Sequence, residues 1–553
     1  MLETTVVVIG GGATGMGTLR DLSMRGVPAI LLEQGGIAHG TSSRYHGLLH
    51  SGARYVVNDP ASAKECIEEN MILRKIGKEC VEVSEGFFVL TPQDDPSFVQ
   101  PWLEGCKKAG ISAEEVPIAK ALELEPNLAP DIRACYRVPD SSVDGFRLVT
   151  HNRMSAEKYG GQAYNYHKVT AINVENGRVA SVTARDMFTN ETKEIRCRFV
   201  INASGSWAGE ICALAGLNAQ ITPDRGTLIA FNHRFTSRII NRLHASADGD
   251  IFVPHGSITI LGTTSVPTDR PDDTTAPYSE VAKLLELGRP LFPDVDSYRI
   301  LRAFAGTRPL YTPGGASGRK ATRNFSVVDH SADGLEGMVS IFGGKLTTYR
   351  LMAERVCDVV CGKLGVTAPC RTADEPMVEP TDPELLKNAE KYFPVHGLAV
   401  MANRLGDELP SVLKAAERMA EAAEKSDACN ATHATDYCGN PLLCECEMVS
   451  LAEIERVARD PQIHSLKDIR LRTRLGMGTC QGAFCAVRTV GSLVEHGINL
   501  EYPPTESVAK FAQERWKGAR PALWGIQARE MEFGRALYAG VLNLDGASHE
   551  QLN

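Results

Sequence analysis

The sequence predicts an α/β protein with a parallel nucleotide-type sheet, a second mixed sheet, and a separate small domain near the C-terminus. Three observations carry that prediction. The chain opens with strand, glycine turn, helix and strand in quick succession. Two further strand-and-glycine-turn segments, "INASGSWAG" and "FGGKLTTYR", return later. Six of the 15 cysteines crowd between Cys429 and Cys485, far from the opening motif.

"TTVVVIG" is a β-branched run, "GGATGMGTLRDLSMRG" a glycine turn opening a helix, and "VPAILLE" a second buried strand. Gly10, Gly12 and Gly15 form G-x-G-x-x-G, and Glu33 ends the second strand. The glycines permit the turn and the close approach of a pyrophosphate, and the helix N-terminus offers amides and a positive dipole end. An acidic residue about 20 positions later accepts the adenosine ribose hydroxyls. This is a dinucleotide site.

Further on, "AINVENGRVASVTARDMFTNETKEIRCRFVINASG" reads as an antiparallel meander turning at Asn176-Gly177 and near Asn190, then feeding a buried strand. A second mixed region, about 225–310, holds "GTLIAF", "DIFVP" and "SITILGTT". The domain expectation is a dehydrogenase module over 1–375, a charged, alanine-rich helical connector over 376–436, a cysteine domain over 437–500 and a tail over 501–553. At 553 residues, 43% hydrophobic and 23% charged, the chain fits a soluble globular protein of several domains. A net charge of −9 argues against a general nucleic-acid binder. No apolar run approaches the roughly 18 residues needed to span a bilayer. The expectation is a cytoplasmic chain, brought to a membrane only by partners.

One βαβ unit cannot cover a whole FAD, so the added glycine turns, with Gly205 in one and Gly343, Gly344 and Lys345 in the other, favour a flavin over NAD. "GTSSRYHGLLHSGARY", "AFAGTRPLY" and "FGGKLTTYRLMAE", in that order, resemble the flavin-dependent glycerol-3-phosphate dehydrogenases. These belong to the D-amino-acid-oxidase-like flavoproteins. The resemblance implies a Rossmann-type FAD domain interleaved with a mixed-sheet substrate domain, with Thr41, Ser42 and Ser43 among the FAD contacts.

A phosphate dianion needs fixed positive charge, and an alcohol carbon must aim its hydrogen at flavin N5 while its hydroxyl loses a proton. "HGLLHSGARY" puts His46, His50, Arg54 and Tyr55 within ten residues, and "AGTRPL" offers Arg308. Arginine's fork matches paired oxygens. By resemblance, Arg54, Tyr55, Arg308 and Lys345 line the substrate pocket, with Thr348 just after them. His50 or His233 could take the hydroxyl proton, since histidine titrates near working pH. The family's aerobic, single-chain members carry small polar residues about where this chain has Tyr45 and His46, so neither is assigned a role from the sequence.

Cys444 and Cys446 form C-x-C, and Cys480 and Cys485 form C-x4-C. "SLAE" (Ser450, Glu453) and "SLKD" (Ser465, Asp468) between them resemble capping boxes. "AFCAVRTVGSLVEHG" then reads as a helix with Cys485 in its first turn, closed by Gly497. Zinc is the rival ligand, but C-x-C is tight for a zinc knuckle. The pattern resembles bacterioferritin-associated-ferredoxin [2Fe–2S] domains. Cys429 and Cys438 are read as bystanders.

The joined modules resemble the anaerobic, multi-subunit branch of the family over nearly the whole chain. That implies oxidation of glycerol 3-phosphate to glycerone phosphate. The electrons would pass through the cluster, then a second soluble subunit, then an iron–sulfur membrane anchor, to menaquinone at the inner face of the membrane, with room for FMN in a partner. Trp516, Trp524 and the stretch after Gly525 are candidate docking elements. Two alternatives stand beside this reading: the same scaffold oxidising another 2-hydroxy acid or a secondary amine, and a non-catalytic electron carrier or redox sensor.

Overall fold

The computed structural model describes residues 2–311, 324–425 and 439–544, and divides into two units, Met1–Met377 and Val378–Asn553. In chain order, the elements of the first unit that matter here begin with β1 (Val6–Ile9), α1 (Ala13–Met24), β2 (Ala29–Leu32), α2 (Pro60–Ile76), α3 (Gly145–Lys158), β3 (Gln162–Tyr164) and β4 (Phe199–Asn202). They continue with β5 (Thr222–Phe231), β6 (Ile300–Leu310), β7 (Phe325–Asp329), β8 (Met338–Gly343) and α4 (Tyr349–Leu364).

The nucleotide-type sheet has the order β3-β2-β1-β4-β8-β7, with every neighbouring pair parallel except the antiparallel β8 and β7. β1, β2 and β4 are buried along their whole length, which is why they read as continuous apolar runs rather than alternating ones. Helices α1, α3 and α4 share one core with this sheet. The meander strands His167–Glu175, Arg178–Asp186 and Thr192–Arg196 turn at Asn176-Gly177 and Asn190, all at positive φ, and join Leu2–Glu3 in a four-stranded sheet.

A nine-stranded mixed sheet contains β5 and β6, paired antiparallel so that Asp224 faces Arg308 directly across the ladder. Its inner side packs on a phenylalanine-rich core that includes Phe87, Phe231, Phe252 and Phe292.

In the second unit α5 (Pro383–Ala389), α6 (Val395–Leu405) and α7 (Leu409–Lys425) lead to α8 (Leu451–Ala458), α9 (Leu466–Thr473), α10 (Cys485–Glu495), α11 (Pro504–Ala519) and α12 (Ile526–Val541). The stretch expected as a connector is helical, but it does not stand apart. Phe393, Leu398, Leu405, Val412 and Ala416 share a buried core with Ala452 and Val457 of α8. Charge on one face of α7 had masked the apolar face that α8 covers. Trp516, expected as a docking residue, is likewise buried in the core around α8–α11, whereas Trp524 is exposed.

Ser465 and Asp468 complete a reciprocal capping box at α9. At α8 only half of the expected box forms: Ser450 caps the Glu453 amide, while the Glu453 carboxylate is taken by Arg404 at 2.6 and 2.7 Å. Both side chains are sealed from solvent, at 1% and 0% exposure. Arg404 also donates to the carbonyls of Glu447 and Met448 at 3.0 and 3.2 Å, which pins the chain just past Cys446. Among the described residues, no helix is long and apolar enough to cross a membrane.

Breaking a buried pair strands one charge and costs about 3–5 kcal/mol. Arg404→Met is therefore expected to speed amide exchange across α6–α9 while leaving β1 and α1 as protected as before, as read by hydrogen-exchange mass spectrometry.

Candidate functional site

A cavity of about 770 Å³ opens in the first unit, lined by the turns that follow β1, β4 and β8. These turns lie at the carboxyl ends of parallel strands, and the sheet order runs outward from β1 in both directions. That is the crevice where open α/β sheets bind ligands.

The β1–α1 turn forms one wall. Gly10 has φ +114°, and a Cβ there would lie 2.6 Å from the Ala203 carbonyl oxygen. A Cβ on Gly15 would overlap the Gly10 carbonyl oxygen, so only glycine lets α1 start this close to β1. The first turn of α1 carries no acidic residue and no side-chain cap from Gly12. Instead the Ala13 amide donates to Ser42 Oγ at 2.9 Å. This positive helix end, open to the cavity, fits a pyrophosphate. Glu33 accepts the amides of Gly11 and Gly35 at 2.7 and 2.8 Å. Burial raises its pKa, and those amides oppose the rise.

At the other end, Gly343 and Gly344 turn at φ +75° and +80° and lead into Lys345. A Cβ on Gly343 would lie 2.7 Å from the Asn324 carbonyl oxygen. Lys345 Nζ donates to Ser62 Oγ at 3.1 Å and lies 5.2 Å above the Tyr55 ring. The His50 amide donates to Thr347 Oγ1 at 3.2 Å, and the His50 ring lies 5.5 Å from Tyr55. Thr41 and Ser206 both donate to the Thr307 carbonyl, at 2.6 and 2.9 Å, so the loop after β2 and the turn after β4 are tied to β6. Arg308 follows on β6. It donates to Asp224 at 2.5 Å, to the Thr264 carbonyl at 3.0 Å, and to Thr263 Oγ1.

The structure thus brings Gly10, Gly12, Glu33, Thr41, Ser42, Gly205, Gly343, Gly344, His50, Tyr55, Arg308 and Lys345 to one cavity. Five expected residues are placed otherwise. Gly15 is outside the lining and instead lets α1 pass close to the Gly10 carbonyl. Arg54 does not line the cavity: its Nη2 bridges both Asp250 oxygens, at 2.9 Å to each, with the two side chains 7% and 3% exposed. Thr348 turns its hydroxyl back to the Lys345 carbonyl and is buried at the start of α4, so Thr347 faces the cavity in its place. Ser43 bonds the Gly40 carbonyl. His233 stacks on Tyr298, away from the cavity lining. The sequence reading passed over His46, which lines the cavity beside His50 with ring centroids 5.8 Å apart. It also missed Arg185, His167 and Lys168, which enter the lining from the meander with no local motif to mark them.

In the second unit the four cysteines meet as two hydrogen-bonded pairs, Cys444 with Cys485 and Cys446 with Cys480. Among the described residues, no three histidine, cysteine or carboxylate groups converge on one ion. A two-iron cluster takes two thiolates on each iron, and the paired arrangement fits it. The hydrogen bond from Cys485, with the amides of Gly476 and Glu447, pulls the Cys444 thiol down to about 7. Cys446 is exposed and Cys480 half-buried, so one side of the centre reaches the surface. A Cβ on Gly478 would overlap Cys446, and the ring of Phe511, from α11, presses on Gly476 and Gly482. Cys429 and Cys438 lie outside the described residues.

Both sites have counterparts of known class. Residues 5–350 match the FAD dependent oxidoreductase family, and residues 442–492 match the BFD-like [2Fe-2S] binding domain. The chain is therefore an FAD-dependent oxidoreductase carrying a [2Fe–2S] domain. It is 40% identical over 557 aligned residues to a subunit of the anaerobic glycerol-3-phosphate dehydrogenase of Escherichia coli K12, covering 100% of this chain and 99% of that one. It is 41% identical to a like-named subunit from Haloferax volcanii, covering 98% and 91% of the two chains. The chain belongs to the family of anaerobic glycerol-3-phosphate dehydrogenase subunits that includes these two. The glycerol-3-phosphate dehydrogenase of Bacillus halodurans, solved with FAD, shares the fold at TM-score 0.71 and 21% identity, covering 95% of this chain and 96% of that one.

Gly15→Val is expected to abolish flavin retention, read as loss of flavin absorbance after gel filtration. Retained flavin would contradict the role given to the β1–α1 turn.

Proposed function

We propose that the chain oxidises sn-glycerol 3-phosphate to glycerone phosphate. The observation that carries this reading is one cavity lined by a histidine, His50, and two cations, Arg308 and Lys345, together with the Gly343–Gly344 turn. When bound, FAD accepts a hydride and the [2Fe–2S] cluster passes electrons on singly. Arg308 and Lys345 hold the phosphate dianion, with Arg308 aimed by its cross-strand pairing to Asp224. Lys345 is steadied by Ser62 and by the face of Tyr55. His50 takes the hydroxyl proton as C2 gives up its hydrogen.

The relatives are named as single subunits of a larger enzyme, which supports a hetero-oligomer. Beside this chain we place a second soluble subunit, together with an iron–sulfur membrane anchor, delivering electrons to menaquinone at the inner face of the membrane. The exposed apolar residues Ile526, Phe533, Leu537 and Val541 on α12, with Phe484 beside the cysteine centre and Trp524, support docking of a partner on the second unit.

Anaerobic titration of the purified chain tests the substrate. Glycerol 3-phosphate is expected to bleach the flavin, whereas glycerol, 2-hydroxy acids and secondary amines should leave it oxidised. Bleaching by a hydroxy acid or an amine would move the reading to that substrate. No bleaching by any of them would leave an electron carrier.

Arg308→Lys keeps a charge opposite the sealed Asp224 but removes the fork. Losing one charge-assisted bond, worth about 1.5–3 kcal/mol, should raise KM roughly ten- to hundredfold at unchanged flavin content. Loss of flavin in this variant would show that Arg308 serves the cofactor instead.

A further inference from the structure

His46 lines the cavity within the group that contains His50 and Arg308, yet nothing in the proposed chemistry uses it. Its ring is fixed on one side: the Leu48 amide donates to Nδ1 at 3.0 Å. A neutral imidazole that accepts at Nδ1 carries its proton on Nε2. Burial, with Arg54 and Arg308 close by, pushes the His46 pKa down to about 3, so the ring stays uncharged at any working pH. Arg54 matters here without touching the cavity. Paired with Asp250, it adds positive potential that disfavours an imidazolium, and the Asp250 carboxylate opposes this more weakly.

We infer that His46 is a fixed, neutral hydrogen-bond donor to the substrate oxygen that becomes the ketone. This rests on the proposed alcohol oxidation. As C2 is oxidised, its C–H bond breaks and the hydrogen leaves with both electrons for the flavin. The hydroxyl proton passes to His50, and the oxygen left behind forms the C=O bond. Negative charge gathers on that oxygen on the way. The Nε2–H of His46 stabilises it without giving up its proton, so charge stabilisation and base work divide between two neighbouring rings. A preorganised donor facing a developing oxyanion is worth about 10²–10³ in rate.

Two variants of the full-length, FAD-loaded chain test this under anaerobic stopped-flow conditions. His46→Ala should slow flavin reduction at saturating glycerol 3-phosphate by roughly 10²–10³-fold. It should also weaken binding of glycerone phosphate to the oxidised protein, read from the perturbed flavin spectrum. His46→Gln, which offers an amide N–H at similar reach, should recover much of both. An alanine variant as fast as the parent would overturn the assignment. So would a glutamine variant no better than alanine, because shape rather than donation would then matter. Flavin loss in both variants would place His46 in cofactor retention and also overturn it. A parent chain that glycerol 3-phosphate fails to bleach would instead sink the substrate reading, and the same pair, measured with whichever substrate bleaches it, still decides the role of His46.

Discussion

Helix α1 begins where it does because Gly15 has no side chain to strike the Gly10 carbonyl. That close pass sets the rest of the first unit. It brings the positive end of α1 to the carboxyl edge of the parallel sheet, beside the turns after β4 and β8. The loop after β2 then reaches back, so that Ser42 caps the Ala13 amide, and Thr41 ties the same loop to β6. Moving α1 outward would pull its positive end away from Ser42, which bonds the Ala13 amide. The glycine spacing near the N-terminus is therefore a constraint on the position of Arg308, almost three hundred residues later.

The second unit meets a different constraint. A cluster domain of this size has little core of its own, and metal ligation usually supplies part of its folding energy. Here the helices α5–α7 and α11 enlarge the core, and the sealed Arg404–Glu453 pair fixes the chain beside Cys446. A buried ion pair is weak evidence for net stability, because desolvation offsets the attraction. Its value here is geometric, since one guanidinium orders two carbonyls and a helix start together. Ordering the C-x-C knuckle before metal arrives lowers the entropic cost of assembling the cluster. The flavin unit deals in electron pairs and the cluster in single electrons, so joining them turns alcohol oxidation into a current that a partner can draw.

Much of this was legible in the sequence because the decisive signals are local. The glycine turns, the acidic end of β2, the meander turns and the C-x-C and C-x4-C pairs each rest on backbone geometry within a few residues. What escaped was set by distant partners. Arg54 reads as a phosphate ligand until Asp250, far along the chain, claims it. Thr347 and Thr348 differ only in which way a tight turn rotates them: one lines the cavity with its hydroxyl on the His50 amide, and the other turns its hydroxyl to the Lys345 carbonyl. The connector looked solvated because its charges are on one face and its partner α8 comes after a long gap. Neither Arg185 nor the tautomer of His46 leaves any mark in residue type or spacing.

On the proposed function, electrons taken from the substrate reach the cysteine centre one at a time. Low-temperature EPR of the complete multi-subunit enzyme, frozen after anaerobic addition of glycerol 3-phosphate, tests this most directly. A reduced [2Fe–2S] signal should grow as the flavin bands fall and disappear on adding a quinone. A flavin that bleaches fully while the cluster stays oxidised would contradict it, and would leave two redox centres in one chain with no exchange between them.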